Sequence, residues 1–285
     1  MTQDSRPGQG TGRPADPFTE RTPLVVSASK LHRAAARRRT GRFLAEGTNS
    51  VEAAVETGAA VELFCTGGAV ERFPGLVHTA ESAGVRVSPV TDRAARALAD
   101  TVTPTGIVAL CRSVVHDAAD ADDPRARGGA PQVVAIGQGL AEPGNVGTLI
   151  RVADALGADA VWLTEGTVDP ENPKAVRASA GSLFHMPVVR GIPESELVRR
   201  ARANGLTVAV ATGDGEVDVE RADEMLSRPT AWVFGNEAHG VPPALAEAAD
   251  ARVRIPIRGR AESLNIVTAA SICLHTSARL RARHP

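Results

Sequence analysis

The stretch Ile255-Pro-Ile-Arg-Gly-Arg-Ala-Glu-Ser-Leu-Asn-Ile-Val-Thr-Ala-Ala-Ser-Ile-Cys-Leu-His275 decides how the whole chain is read. A short apolar strand, Val253 to Ile257, is expected to stop at a loop carrying Arg258, Gly259, Arg260 and Glu262. Ser263 then stands where a helix N-cap belongs, with an uninterrupted helical pattern behind it. Small residues line that helix (Ala269, Ala270, Ser271, Ser277), which lets other backbone approach closely. Its N-terminus presents Ser263 and Asn265 together with free backbone N–H groups, suited to a polar or anionic ligand. A buried C-terminal helix behind a solvated basic loop would read the same way, so the stretches upstream must decide.

Working outward, residues 131–285 read as one α/β unit. Its expected strands are Val133–Ile136, Ala160–Leu163, Pro187–Val189, Leu206–Ala211, Ala231–Phe234 and Val253–Ile257, separated by helical segments. Most are near-continuous apolar runs, as strands covered on both faces should be, so a mostly parallel sheet is the natural arrangement. After the first strand, Gly137-Gln-Gly139 begins like a dinucleotide fingerprint, but Glu142 stands where the third glycine belongs, and that reading is rejected. Glycines and chemistry-bearing residues cluster near 212–213, 235–240 and 255–265, at the ends of late strands, where an open sheet places its ligand crevice.

Residues 23–115 alternate helix and strand in a smaller α/β unit. A basic helix from Lys30 is followed by strand Phe43–Ala45 and helix Asn49–Thr57, then strand Val61–Cys65 and helix Val70–Ala83. Strand Val85–Val87, helix Asp92–Asp100 and strand Ile107–Cys111 complete it. Residues 1–22 read as a disordered tail and 116–130 as a linker. Between Lys30 and Arg42 six basic residues occur without an acid, a patch suited to a phosphate backbone. Aromatics make up only 3% of the chain, so base stacking is a poor candidate and charge with shape must dominate any RNA contact. No apolar run is long enough to span a membrane, and the polar start does not resemble a signal peptide. Cys65, Cys111 and Cys273 are widely separated within apolar runs and read as buried small hydrophobes, not metal ligands. A cytoplasmic protein without a metal is expected.

Three motifs then carry a resemblance. They are Pro143-Gly-Asn-Val-Gly-Thr-Leu-Ile-Arg151, Val233-Phe-Gly-Asn-Glu-Ala-His-Gly240 and the opening stretch through Ser263-Leu-Asn265. Their order and separations resemble the SpoU/TrmH branch of the SPOUT RNA methyltransferases, which transfer methyl from S-adenosylmethionine to a ribose 2′-hydroxyl. The first unit resembles, more loosely, the family's ribosomal-protein-like RNA-binding domain, through the basic helix and Phe43-Leu-Ala-Glu-Gly47. The resemblance implies a deep trefoil knot in the second unit and a homodimer that completes the site. It implies donor contacts at Gly235, Ile255 and Leu264, with Thr212 and Gly213 closing over the donor. It assigns the chemistry to Arg151, with Glu237, Asn145, Ser263 and Asn265 around it. Arg33, Arg37, Arg38, Arg39, Arg42, Arg258 and Arg260 would grip RNA phosphates.

The family pattern makes the motif-one arginine a general base, which is physically costly. Taking a guanidinium from a pKa of about 13 to about 7 costs about 8 kcal/mol at roughly 1.36 kcal/mol per unit. The alternative is that Arg151 stays a cation, grips phosphate and stabilises the developing alkoxide, while the proton leaves to water or to Glu237. Asn145 reads as support for the turn before Arg151, and His239 as an exposed loop residue. Large-subunit 23S ribosomal RNA is the favoured substrate, with tRNA methylation and a non-catalytic RNA-binding or ribosome-assembly role as alternatives. A part in antibiotic resistance is left open by the residues.

Overall fold

A computed structural model describes residues 16–118 and 130–282. The remainder of the expected tail and linker lies outside the described residues. Of the tail, Phe18 is already fixed: its N–H bonds Pro89 O at 2.8 Å and its carbonyl accepts from Thr91 N–H at 2.9 Å.

The first unit runs α1 (Pro23–Ser29), α2 (Ala34–Thr40), β1 (Arg42–Glu46), α3 (Thr48–Glu56), β2 (Ala60–Cys65), α4 (Gly67–Arg72), α5 (Pro74–Ser82), β3 (Arg86–Pro89), α6 (Asp92–Leu98) and β4 (Ile107–Arg112). Its four strands lie in the order β1-β4-β2-β3. Two expected helices are broken. The basic helix is interrupted at Arg33, which is extended (φ −92°, ψ 129°) after a short 3₁₀ turn at Lys30–His32. The helix expected over 70–83 is two helices, because Pro74 has no N–H and must start a helix instead of continuing one.

The second unit adds β5 (His116–Asp117), β6 (Val133–Gly137), α7 (Pro143–Ala155), β7 (Ala160–Thr164), α8 (Pro173–Ser179), β8 (Val188–Ile192), α9 (Glu194–Ala203), β9 (Thr207–Ala211), β10 (Val217–Asp218), α10 (Asp223–Leu226), β11 (Thr230–Phe234), α11 (Pro243–Ala248), β12 (Ala251–Arg254) and α12 (Ile266–Arg281). Its eight strands are ordered β10-β12-β9-β11-β6-β7-β8-β5, and every pairing is parallel. The first two residues expected in the linker therefore join the sheet, beside β8. β12 stops at Arg254, three residues short of the expected Ile257, since Pro256 cannot donate to a ladder. Alternate residues of β6 feed opposite faces: Val133 and Ala135 pack with α7 and α12, Val134 and Ile136 with the α9 and α11 side. Burial on both faces explains why these strands read as unbroken apolar runs. The small residues of α12 serve the same packing: Ser277, fully buried, accepts the indole N–H of Trp232 at 3.0 Å.

Polar contacts, some buried and some half-buried, join the two units. Arg37, only 3% exposed, lies 2.7 Å from Asp169 and also donates to the carbonyls of Leu31 and His32. Arg190 reaches Asp169 at 3.6 Å and Glu171 at 3.5 Å, and the Ser113 hydroxyl donates to Glu171 at 2.7 Å. Burial pushes the Glu171 carboxyl above its ordinary range, opposed by the Ser113 hydrogen bond. Arg177 spans to Glu46 and Asp100 at 3.4 and 3.0 Å.

Candidate active site

β9, β11 and β12 end at one cleft of about 420 Å³, on the edge where a parallel sheet presents its loops. Thr212 and Gly213 follow β9, Gly235 follows β11, and Ile255, Ser263, Leu264 and Asn265 follow β12; all seven line it, as does Glu237. A larger hollow of about 660 Å³ lies between the units beside Arg38, Asp169 and Arg190, and none of the three motifs reaches it.

Gly235 is dictated by close approach. A Cβ there would come within 2.5 Å of Gly240 O and Val241 N, both backbone atoms. The loop between them is pinned by mutual backbone hydrogen bonds of Asn236 and Gly240, at 3.0 and 2.9 Å. Gly240 takes the positive φ of 67° that its turn requires, whereas Gly259 does not have a positive φ. Asn236, to which the sequence reading gave no role, holds this loop: its amide donates to Gly139 O at 2.6 Å and its oxygen accepts from the N–H groups of Ala238 and His239. An Asn two residues before a turn is a recognisable signal for such a closure.

Behind the cleft, Glu237 receives Asn145 Nδ2 at 2.9 Å and the N–H groups of Ala141 and Glu142 at 3.2 and 3.3 Å. It thus sits at the N-terminus of α7, where backbone N–H groups and the helix dipole favour an anion. The helix this carboxylate serves is α7, more than ninety residues before it, and not the one that follows it. Asn265, not Ser263, is the N-cap of α12, accepting from Val267 N–H at 2.9 Å and Thr268 N–H at 3.3 Å. Its amide also donates to Asn145 at 3.4 Å, so one chain of contacts links all three motifs. Ser263 is exposed on the cleft rim and free of the capping duty.

Partial burial pushes the Glu237 carboxyl up, but the hydrogen bonds from Asn145 and from the surrounding N–H groups outweigh it, and its pKa falls below the ordinary 4.5. A depressed carboxylate is a poorer proton acceptor, and the three hydrogen bonds that Glu237 receives suit it to anchoring the start of α7. What the ionised carboxylate contributes is complete above about 4.5 and is lost as pH falls through the lower folded value. Glu237→Gln is therefore expected to melt about 2 °C lower at pH 7, a gap that closes in melts below pH 4.5. A gap that persists undiminished at lower pH would count against the charged anchor.

Arg151 does not line the cleft. It lies on α7, about 9 Å beyond Asn145 at the helical rise, is exposed, and makes no ion pair among the described residues. Of the seven arginines expected on RNA, Arg37 is withdrawn: it is buried and paired with Asp169. Arg258 is 77% exposed but pairs with Glu220 at 2.8 Å. Arg33, Arg38, Arg39, Arg42 and Arg260 are exposed. Burial pushes the Cys65 and Cys273 thiols up to about 12, and all three cysteines are buried and unpaired.

The cleft suits a nucleoside cation. Ile255, Leu264 and Ala269 give it apolar walls, Glu237 and Glu262 give it negative charge, and residues 255–265 form neither helix nor strand, leaving their backbone groups outside any ladder. The family described as SpoU rRNA methylase matches residues 132–275, the span that contains all three motifs. The chain belongs to the SpoU rRNA methylase family. Residues 23–109 match a second family, described as an MRM3-like substrate binding domain. The chain is 33% identical to the 23S rRNA (guanosine(2553)-2′-O)-methyltransferase RlmP of Bacillus subtilis (strain 168), over 88% of its own length and 94% of that protein's. The AdoMet-bound rRNA methyltransferase from Sinorhizobium meliloti superposes with a TM-score of 0.76 at 30% identity, covering 90% of this chain and 95% of that one. The SpoU methyltransferase AviRb from Streptomyces viridochromogenes, in complex with AdoMet, gives 0.77 at 28%, covering 92% and 100%. Both neighbours thus match across both units, over nearly the whole chain. Among the described residues, no helix is long and apolar enough to cross a membrane, and no cluster of three metal-ligating side chains occurs.

Proposed function

We propose that this chain is an S-adenosylmethionine-dependent methyltransferase acting on the ribose 2′-hydroxyl of 23S ribosomal RNA in the cytoplasm. The observation that carries this reading is that two separated motifs line one cleft at the strand ends, while the third is tied to both through the Asn265–Asn145–Glu237 contacts. When bound, S-adenosylmethionine supplies an activated methyl group. Gly235, Ile255 and Leu264 would hold it with backbone groups, Thr212 and Gly213 would cover it, and Ser263 would orient it from the rim. Asn145, Asn265 and Glu237 fix the walls around it. Arg151 keeps its cation near the reacting sugar, where it offsets the charge developing on the 2′-oxygen.

A homodimer fits the position of Arg151, which lies outside the cleft of its own chain, and Ile257, Leu264 and Ile272 offer exposed apolar side chains. The insertion of β11 between β9 and β6, with α12 packed back against α7, is compatible with the knot that the resemblance implies. We place the substrate-binding unit at 23–115 and the methyltransferase unit at 131–285.

The test is transfer of labelled methyl to unmodified 23S ribosomal RNA, followed by mapping of 2′-O-methyl positions. Donor binding without any transfer would support the non-catalytic RNA-binding role instead. RNA affinity should fall roughly a hundredfold between about 50 and 200 mM salt, because Arg33, Arg38, Arg39, Arg42 and Arg260 release counterions from several phosphates. An affinity flat across that range would remove these arginines from the interface.

A further inference from the structure

Thr212 and Gly213 form one wall of the cleft, while Val253, Ile255 and Ile257 form the adjacent one. Charged contacts outside the cleft fasten these walls together. Beyond Gly213 the chain runs alongside β12, with Val217 and Asp218 paired to Val253 and Arg254. Acids alternate along this segment (Asp214, Glu216, Asp218) and arginines alternate along β12 (Arg252, Arg254), so like charges share a face and opposite ones meet across the pairing. Arg252 lies 2.7 Å from the Asp214 carboxylate and 3.6 Å from Glu216, and it also donates to Asp214 O at 3.1 Å. Arg254 lies 3.6 Å from Asp218 and donates to the carbonyls of Gly215 and Glu216 at 2.9 and 3.1 Å. Asp214 in turn accepts the Thr212 hydroxyl at 2.6 Å, so the first rung ends on a residue of the cleft. Gly215 is pressed against the strand: a Cβ there would lie 2.7 Å from Arg252 O and 2.8 Å from Arg254 N.

We propose that Arg252 and Arg254 are positioning residues for the methyl donor, holding the Thr212–Gly213 wall at a fixed spacing from the Ile255 wall. The inference rests on the donor occupying this cleft. Neither arginine lines the cleft, so both act through the segment they grip. A single exposed ion pair stabilises little, but each of these guanidiniums binds a carboxylate and backbone carbonyls of one segment, so the ordering cost of each side chain is shared. A wall already in place spares the donor the entropy of ordering it.

The experiment titrates S-adenosylmethionine into the full chain by calorimetry, for the natural sequence, Arg252→Gln, Arg254→Gln and the exchange Asp214→Arg/Arg252→Asp. Each single variant should bind the donor about fivefold more weakly, with a matching rise in donor KM and kcat at saturating donor unchanged within about twofold. The exchange should recover part of the affinity. Raising salt from about 50 to about 500 mM should weaken donor binding in the natural sequence more than in Arg252→Gln, whose rung is already gone. Should a single variant fail to fold, Glu216→Gln removes one rung end at an exposed position and must show a smaller loss of the same sign. Donor affinities equal to that of the natural sequence in these variants would overturn the proposal. A natural sequence that binds no donor would instead overturn the assignment of the cleft, and the proposal with it.

Discussion

An Arg151→Ala variant is expected to bind the methyl donor as the natural sequence does and to transfer methyl about a hundred to a thousand times more slowly. The two halves of this expectation have separate physical grounds. Arg151 does not line the cleft, so truncating it removes no donor contact. It is exposed and unpaired among the described residues, so its removal leaves no buried charge and should change stability by no more than about 0.5 kcal/mol. What is lost, on the proposed role, is a cation beside the 2′-oxygen, which gains negative charge as its proton is removed and gives it up to the new bond with the methyl carbon, and such a loss appears in kcat. Arg151→Lys keeps the charge without the planar fork and should recover only part of the rate. Single-turnover transfer with donor titration separates the outcomes. Undiminished turnover would take Arg151 out of the chemistry, and a lost donor affinity would place it in the cleft after all.

Gly235→Ala should be nearly as damaging, by a different route. The added methyl has no space, because the atoms it meets are the carbonyl of Gly240 and the amide of Val241 rather than a side chain that can swing aside. Overpacking of this kind costs about 1–3 kcal/mol, or a melting point lower by roughly 5 °C. The larger consequence is geometric. The Asn236–Gly240 loop must shift, and it carries Glu237, which holds Asn145 and the start of α7. A displacement of about 1 Å can cost about a hundredfold in rate, and transfer should fall by that order, with weaker donor binding. Donor affinity and turnover equal to those of the natural sequence would show that the close approach is not needed.

How much of this could be read in advance depended on how local the determining physics is. The parallel strands were legible because burial on both faces writes an apolar run directly into the chain, and the cleft was legible because its glycines fall at the ends of those runs. The cap of α12 was misplaced because Ser263 and Asn265 are equally good caps, and only the length of the loop after Arg254 selects between them. Pro74 and Pro256 were visible breakers whose neighbours' apolar pattern outweighed them. Arg37 is the instructive error. Three successive arginines on a helix point about 100° apart, so Arg37, Arg38 and Arg39 cannot share one outward face. One of them had to turn elsewhere, but its partner, Asp169, lies 132 residues along the chain and nothing local announces it. The same limit hid the α7 anchor, since Glu237 and Asn145 are 92 residues apart.

The seam between the units gives the molecule a property beyond stability. With Arg37, Asp169 and Glu171 buried, Arg190 half-buried beside them and Arg177 bridging to Glu46 and Asp100, the unit that carries the arginine-rich face is held against the unit that carries the cleft. The molecule is then a caliper with set jaws. With RNA gripped as proposed, the span between those arginines and the cleft sets how far along a folded RNA the marked sugar must lie.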